Sequence, residues 1–170
     1  MAWVLFTCLM MSCVAAAAEA YSVKLNMAEP EDWDEGYDPN KTVVFGLYRI
    51  GEPDGTTDSA WKPVEAFKDL LDGMTEKPES GDTWTADQVK AWQDAVCGEI
   101  GYDPAGKNAD LPDPDYTSAS VEYGKSVTVD IDMPGIYMGV AISKPDRLVI
   151  NPFTIAVPAV KSDDPQNVEV

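Results

Sequence analysis

Thirty carboxylates and no histidine bound the chemistry open to this chain. Histidine is the commonest general base near neutral pH and the commonest transition-metal ligand. Without it, neither a Ser-His-Asp nor a Cys-His mechanism can be assembled from the chain's own residues. A histidine-ligated zinc site is excluded on the same ground. Cys8 and Cys13 fall in an apolar N-terminal run, which leaves Cys97 alone, and one thiolate does not make a metal site. Cys97 follows Val96 of an apolar stripe and is expected to be a small buried side chain. The carboxylates offer two chemistries of their own. Asp32, Asp34, Glu35 and Asp38 are dense, as are Asp110, Asp113 and Asp115, and calcium takes about six to eight oxygens. Their spacing departs from the Asp-x-(Asp/Asn)-x-(Asp/Asn)-Gly loop of an EF-hand, so solvated acidic turns are the expectation, and no metal or cofactor is assigned. Two carboxylates can also hydrolyse a glycoside, but no pair is singled out, and an enzyme is not expected. Trp33, Trp61, Trp84 and Tyr116 could form an aromatic platform for a sugar or small ligand. Because Trp61 and Trp84 flank predicted helices, packing against a sheet is the competing expectation.

The first twenty residues stand apart from these groups. Val4 to Val14 is almost wholly apolar, and Ala18-Glu19-Ala20 fits the small-x-small pattern that precedes a signal cleavage site. Residues 1–20 are therefore expected to be a signal peptide, with Tyr21 the first mature residue. The apolar run is shorter than the ~20 residues of a comfortable membrane span, so no span is expected in the mature chain. Residues 21–170 suit one domain. With one cysteine left, that domain has no internal disulfide. The net charge of −18 argues against binding to nucleic acid or anionic lipid.

The elements that position these residues follow from periodicity. Tyr21, Val23, Leu25 and Met27 alternate with Ser22, Lys24 and Asn26, giving a strand with one buried face. Thr42 to Ile50 is nearly continuous in apolar residues and is predicted to be a central strand. Val64, Phe67, Leu71 and Met74 form one helical stripe after Pro63, which suits a first helical turn. A second helix opens on the capping box Thr85-Ala86-Asp87-Gln88, carries Val89, Trp92, Val96 and Ile100 on one face, and stops at Gly98 or Gly101. Ala119, Val121 and Tyr123 form a short strand. Ser126 to Ile131, Ile136 to Ile142 and Leu148 to Val157 are three further strands joined by Pro/Gly turns, and Val168-Glu169-Val170 starts another. The predicted fold class is mainly β, an antiparallel sandwich with a two-helix insertion at about 59–101.

Two segments carry a resemblance. Phe45-Gly46-Leu47-Tyr48-Arg49-Ile50 follows a hydrophobic-x-Leu-Tyr-(Lys/Arg)-(Val/Ile) pattern. Pro134-Gly135-Ile136-Tyr137, followed by Asn151-Pro152-Phe153-Thr154-Ile155-Ala156-Val157-Pro158, is the second. Both resemble the N-terminal domain of Gram-positive cell-wall-anchored surface proteins, the pilin-like subunits with SpaA or Cna-B type (prealbumin-like) modules. The resemblance implies an Ig-like or prealbumin-like sandwich and a non-enzymatic structural or adhesive module. The implied place is extracellular, at the cell surface or in the cell wall. Partners would be neighbouring surface-protein domains or subunits, host proteins or glycans. The alternative is a secreted carbohydrate- or small-ligand-binding module. The family's Leu-Pro-x-Thr-Gly sorting signal, terminal membrane span and basic tail are not found in this chain, so a fragment or a free secreted domain is expected.

The resemblance also implies a covalent chemistry. Domains of this class often join a lysine on the first strand to an asparagine on the last, with a buried acid as proton relay. Lys24 and Asn151 are the candidates. The relay pattern Tyr-x-Leu-x-Glu falls on Tyr137 to Ala141, which puts Ala141 where the glutamate should stand, and Lys24 lies on the polar face of its strand. The bond is not expected to form.

Overall fold

The structure, a computed structural model, describes residues 21–27, 41–54, 61–74, 84–108, 110–146, 148–157 and, as backbone, 166–169. It is mainly β, with two sheets and two helices. The small sheet has the order β6-β1-β9, from Ser126–Ile131, Tyr21–Asn26 and Gln166–Glu169. β1 runs antiparallel to β6 and parallel to β9. The large sheet is built on β2 (Thr42–Pro53), which pairs antiparallel with β7 (Gly135–Ser143) on one side. Along the other edge of β2 lie three short antiparallel partners: β3 (Trp61–Pro63), β4 (Tyr116–Thr117) and β5 (Val121–Glu122). β8 (Phe153–Val157) pairs antiparallel with β7 in unbroken register, from Gly135↔Val157 to Gly139↔Phe153.

The middles of β2 and β7 are largely apolar because both of their faces are buried there. Val43, Phe45 and Leu47 of β2, with Tyr137 and Ala141 of β7, join Val23, Leu25, Val129 and Ile131 of the small sheet in one apolar cluster. Tyr48, Ile50, Ile136, Met138 and Val140 point the other way, into a second cluster with the helices.

The helix α1 (Ala86–Ile100) begins as its sequence dictates. Gln88 N–H donates to Thr85 Oγ1 at 3.2 Å, and Thr85 N–H donates to Gln88 Oε1 at 2.9 Å. It ends at Gly101, whose φ of 75° is left-handed backbone that favours glycine. Trp92, Val96 and Ile100 are buried against the large sheet.

The stretch predicted as a first helix differs. Pro63 closes the edge strand β3, opposite Gly51, where its missing N–H breaks no interior ladder. Glu65–Gly73 is a 3-10 helix with no side-chain cap. A 3-10 helix has three residues per turn, and on that period Phe67 and Leu70 share a face. They pack only partly buried against the second cluster, with Leu71 and Met74 beside them. So Phe67 is half-buried, not the full core residue that the helical stripe predicts. The strand predicted from Leu148 begins at Phe153, because Pro152 interrupts the extended run.

Candidate functional site

Helix α1 packs over β2 and β7 of the large sheet and meets β8 at its margin. Ile155 and Val157 of β8 point into the first cluster, while Thr154 is half-buried and Ala156 is exposed on the helix side. A seam therefore runs between α1 and β8. Its α1 wall presents Val89, Gln93 and Cys97 four residues apart, with Lys90, Asp94 and Gly98 one step round the helix. Gln93 Nε2 donates to the Pro152 carbonyl at 3.1 Å and ties the two elements together.

Two clefts follow one another along the seam. The first, of about 380 Å³, is mostly polar and is bordered by Lys90, Gln93, Asp94, Cys97, Tyr102 and Asn151. Lys90 Nζ stands 3.0 Å from Asp94 Oδ2. The Tyr102 hydroxyl donates to the Ile150 carbonyl at 2.6 Å. Burial pushes the Cys97 thiol up to about 11, and the charge of Asp94 adds to the shift. The second cleft, of about 300 Å³, is apolar: Trp61, Trp84 and Val89 wall it, and Ile136, Ile155 and Ala156 floor it. These groups can hold a ligand by contact and hydrogen bonding. The one thiol among them is kept protonated, which withholds the thiolate nucleophile.

Two of the four candidate platform residues, Trp84 and Tyr116, pack edge-on against neighbouring rings. Trp84 meets Trp92 edge-on, at 5.9 Å and 79°. Trp84 Nε1 donates to the Trp61 carbonyl at 2.9 Å, and Trp92 Nε1 to the Ile50 carbonyl at 3.1 Å. Tyr116 meets Tyr137 at 5.7 Å and 65°, and its hydroxyl donates to Asp132. Trp33 lies outside the described residues.

The acidic and turn residues have local tasks. Asp115 Oδ2 accepts from the Arg49 backbone N–H at 2.6 Å, and the Tyr48 hydroxyl donates to the Pro112 carbonyl at 2.7 Å. Together they tie the acidic loop to β2. The Met133-Pro134-Gly135 turn is held by the Tyr137 hydroxyl on the Met133 carbonyl at 2.8 Å and by Arg49 Nη2 on the Pro134 carbonyl at 2.7 Å. Burial raises the Tyr137 phenol well above its usual range, and the neighbouring Tyr116 adds to this. Asp32, Asp34, Glu35 and Asp38 lie outside the described residues. Among the described residues no three carboxylates or thiols are grouped as metal ligands. No helix among them is long and apolar enough to cross a membrane.

Lys24 and Asn151 are not brought together. Lys24 sits on β1, on the face opposite Val23 and Leu25, which enter the shared core. Asn151 is exposed beside α1, at the far side of the large sheet. The register partners of Lys24 are Thr128 on β6 and Asn167 on β9. Ala141 is fully buried opposite Phe45. Ala18 and Ala20 lie outside the described residues, and Tyr21 opens β1. The seam itself escaped sequence reasoning. Its one local signal is the pairing of small or polar residues at Gln93, Cys97 and Gly98 on a helix that is otherwise apolar on its buried side.

Compared with known proteins, the chain matches no family model, and no curated protein matches it.

Proposed function

We propose that the chain is an exported, non-enzymatic structural or adhesive module of a Gram-positive surface or pilin-like protein. The module is a prealbumin-like sandwich with the helices inserted between early and late strands. One observation carries the reading. Two of the rings that a carbohydrate platform would use, Trp84 and Tyr116, are turned edge-on against neighbouring rings and hydrogen-bonded into the fold, at 79° for Trp84 on Trp92 and 65° for Tyr116 on Tyr137. Flat stacking on a sugar needs exposed, shared planes. The shared core of two sheets and the adjacency of first and last strands support the sandwich. The absence of histidine from the whole chain supports a binding role over catalysis.

Expression of the full chain in a Gram-positive host tests this reading. The secreted product is expected to begin at Tyr21. It is expected to bind surface-displayed or host proteins saturably, and to leave a glycan array blank. Glycan binding that disappears in Trp61→Ala would favour the ligand module, since Trp61 is the ring left half-exposed at the apolar cleft.

A further inference from the structure

β8 is the end strand of the large sheet, and among the described residues no strand pairs with its outer side. Natural proteins protect such edges with charge, proline, a bulge or brevity, because unpaired backbone groups recruit other strands. Here β3 carries Lys62 and Pro63, and β6 carries Asp130. β8, five residues long, carries neither charge, proline nor bulge, and its register with β7 is unbroken.

The seam beside this edge has the features that an added strand needs. Alternate side chains of an extended peptide point to one face. The apolar cleft of about 300 Å³ between Trp84 and Ala156 accepts one bulky side chain, and the polar cleft beyond Gln93 accepts backbone or polar groups. Charge selects the occupant. The chain carries −18, and at the seam itself the one lysine, Lys90, is already paired with Asp94. A second copy or an acidic segment is repelled, and a basic one is drawn in.

We infer that the outer edge of β8 receives an extended, basic segment of a partner protein as an added strand, with one apolar side chain seated in the cleft that Trp61, Trp84 and Ala156 line. Strand addition of this kind takes its affinity from main-chain hydrogen bonds and its specificity from the pockets for alternate side chains. The inference rests on the adhesive reading and specifies how that contact is made.

The probe is the synthetic peptide Lys-Val-Lys-Phe-Lys-Val-Lys, titrated into the secreted chain by calorimetry and followed by backbone amide resonances. Saturable binding is expected, with shifts confined to β8, Trp61, Trp84 and the start of α1. The glutamate counterpart is expected not to bind. N-methylation of alternate peptide residues is expected to weaken binding about tenfold in one parity, the equivalent of two lost hydrogen bonds, and little in the other. Ala156→Lys, at an exposed position, is expected to weaken it by a similar factor while leaving the circular dichroism spectrum unchanged. Shifts spread over the acidic surface, indifference to N-methylation in both parities, or no saturable binding overturns the inference. Dimerisation of the chain abolished by Ala156→Lys also overturns it and gives the edge to a second copy. If a surface protein binds the wild type and Ala156→Lys equally, the edge assignment falls and the adhesive reading stands. If no surface protein binds while the peptide seats on β8, the adhesive reading alone falls.

Discussion

The Cys97 thiol packs with its sulfur 3.3 Å from Met138 Sδ, under the end of α1. Held up to about 11 by burial, it is a thiolate in roughly one molecule in a thousand at pH 8. Iodoacetamide at that pH is therefore expected to leave the native chain unmodified and to alkylate it fully in denaturant. Rapid native labelling would mean that the helix end opens. Lys24 makes a second case at this scale. A lysine attacks an amide only when an apolar setting leaves it neutral and a neighbouring acid relays the proton. Lys24 faces away from the shared core, and Ala141 holds the place where the resemblance puts that acid. The intact mass of residues 21–170 is expected to equal their sequence mass. A deficit of about 17 Da, one ammonia, that Lys24→Ala removes and Asn151→Ala does not, would point to Asn167, its register partner. That asparagine was overlooked in the sequence because pairing register is a property of two distant segments.

Among elements, β7 shows best how packing sets residue choice. Gly139 pairs with Phe153, and a Cβ added there would meet the phenylalanine ring at 2.2 Å. The ring in turn meets Phe45 edge-on at 5.7 Å. Gly139→Ala is expected to cost ~1–3 kcal/mol as an overpacked site. A cycle with Phe153→Leu measured by urea unfolding should recover part of that. Additive losses would show that the ring moves aside freely. The elements that were legible in the sequence are those with a local cause. Alternation marked β1 and β6, a continuous apolar run marked β2, the Met133-Pro134-Gly135 break marked the start of β7, and the Thr85–Gln88 box marked the start of α1. The illegible ones depend on distant partners. Trp61–Pro63 is too short to show a period and is a strand only because Gly51–Pro53 lies beside it. The apolar spacing at Phe67, Leu70 and Leu71 serves a 3-10 helix as well as an α-helix. The seam exists only because α1 and β8 meet across the sheet, which no window of sequence contains.

For the whole molecule, the protonation of buried groups sets an alkaline limit. Burial raises Cys97 and the phenols of Tyr48, Tyr116 and Tyr137, and nearby carboxylates Asp113, Asp115 and Asp132 add to the tyrosine shifts. A raised folded value means that the unfolded chain releases its protons first, so stability falls as pH rises. The contribution is complete below the unfolded thiol value of ~8.5 and declines through the folded value of about 11 for Cys97. The melting temperature is expected to slope downward from about pH 8.5, and Cys97→Ala should delay the onset toward the phenol range near ~10. A flat profile to pH 11 would contradict it. The parallel pairing of β1 with β9 has a mechanical consequence. Parallel neighbours leave the first residue of one strand and the last of the other at opposite ends of the same ladder, here Tyr21 and Glu169. Tension applied through those two ends drags the strands past each other lengthwise. The interstrand bonds are loaded together instead of unzipping one by one, so the fold should yield to a pull only at high force and in a single step.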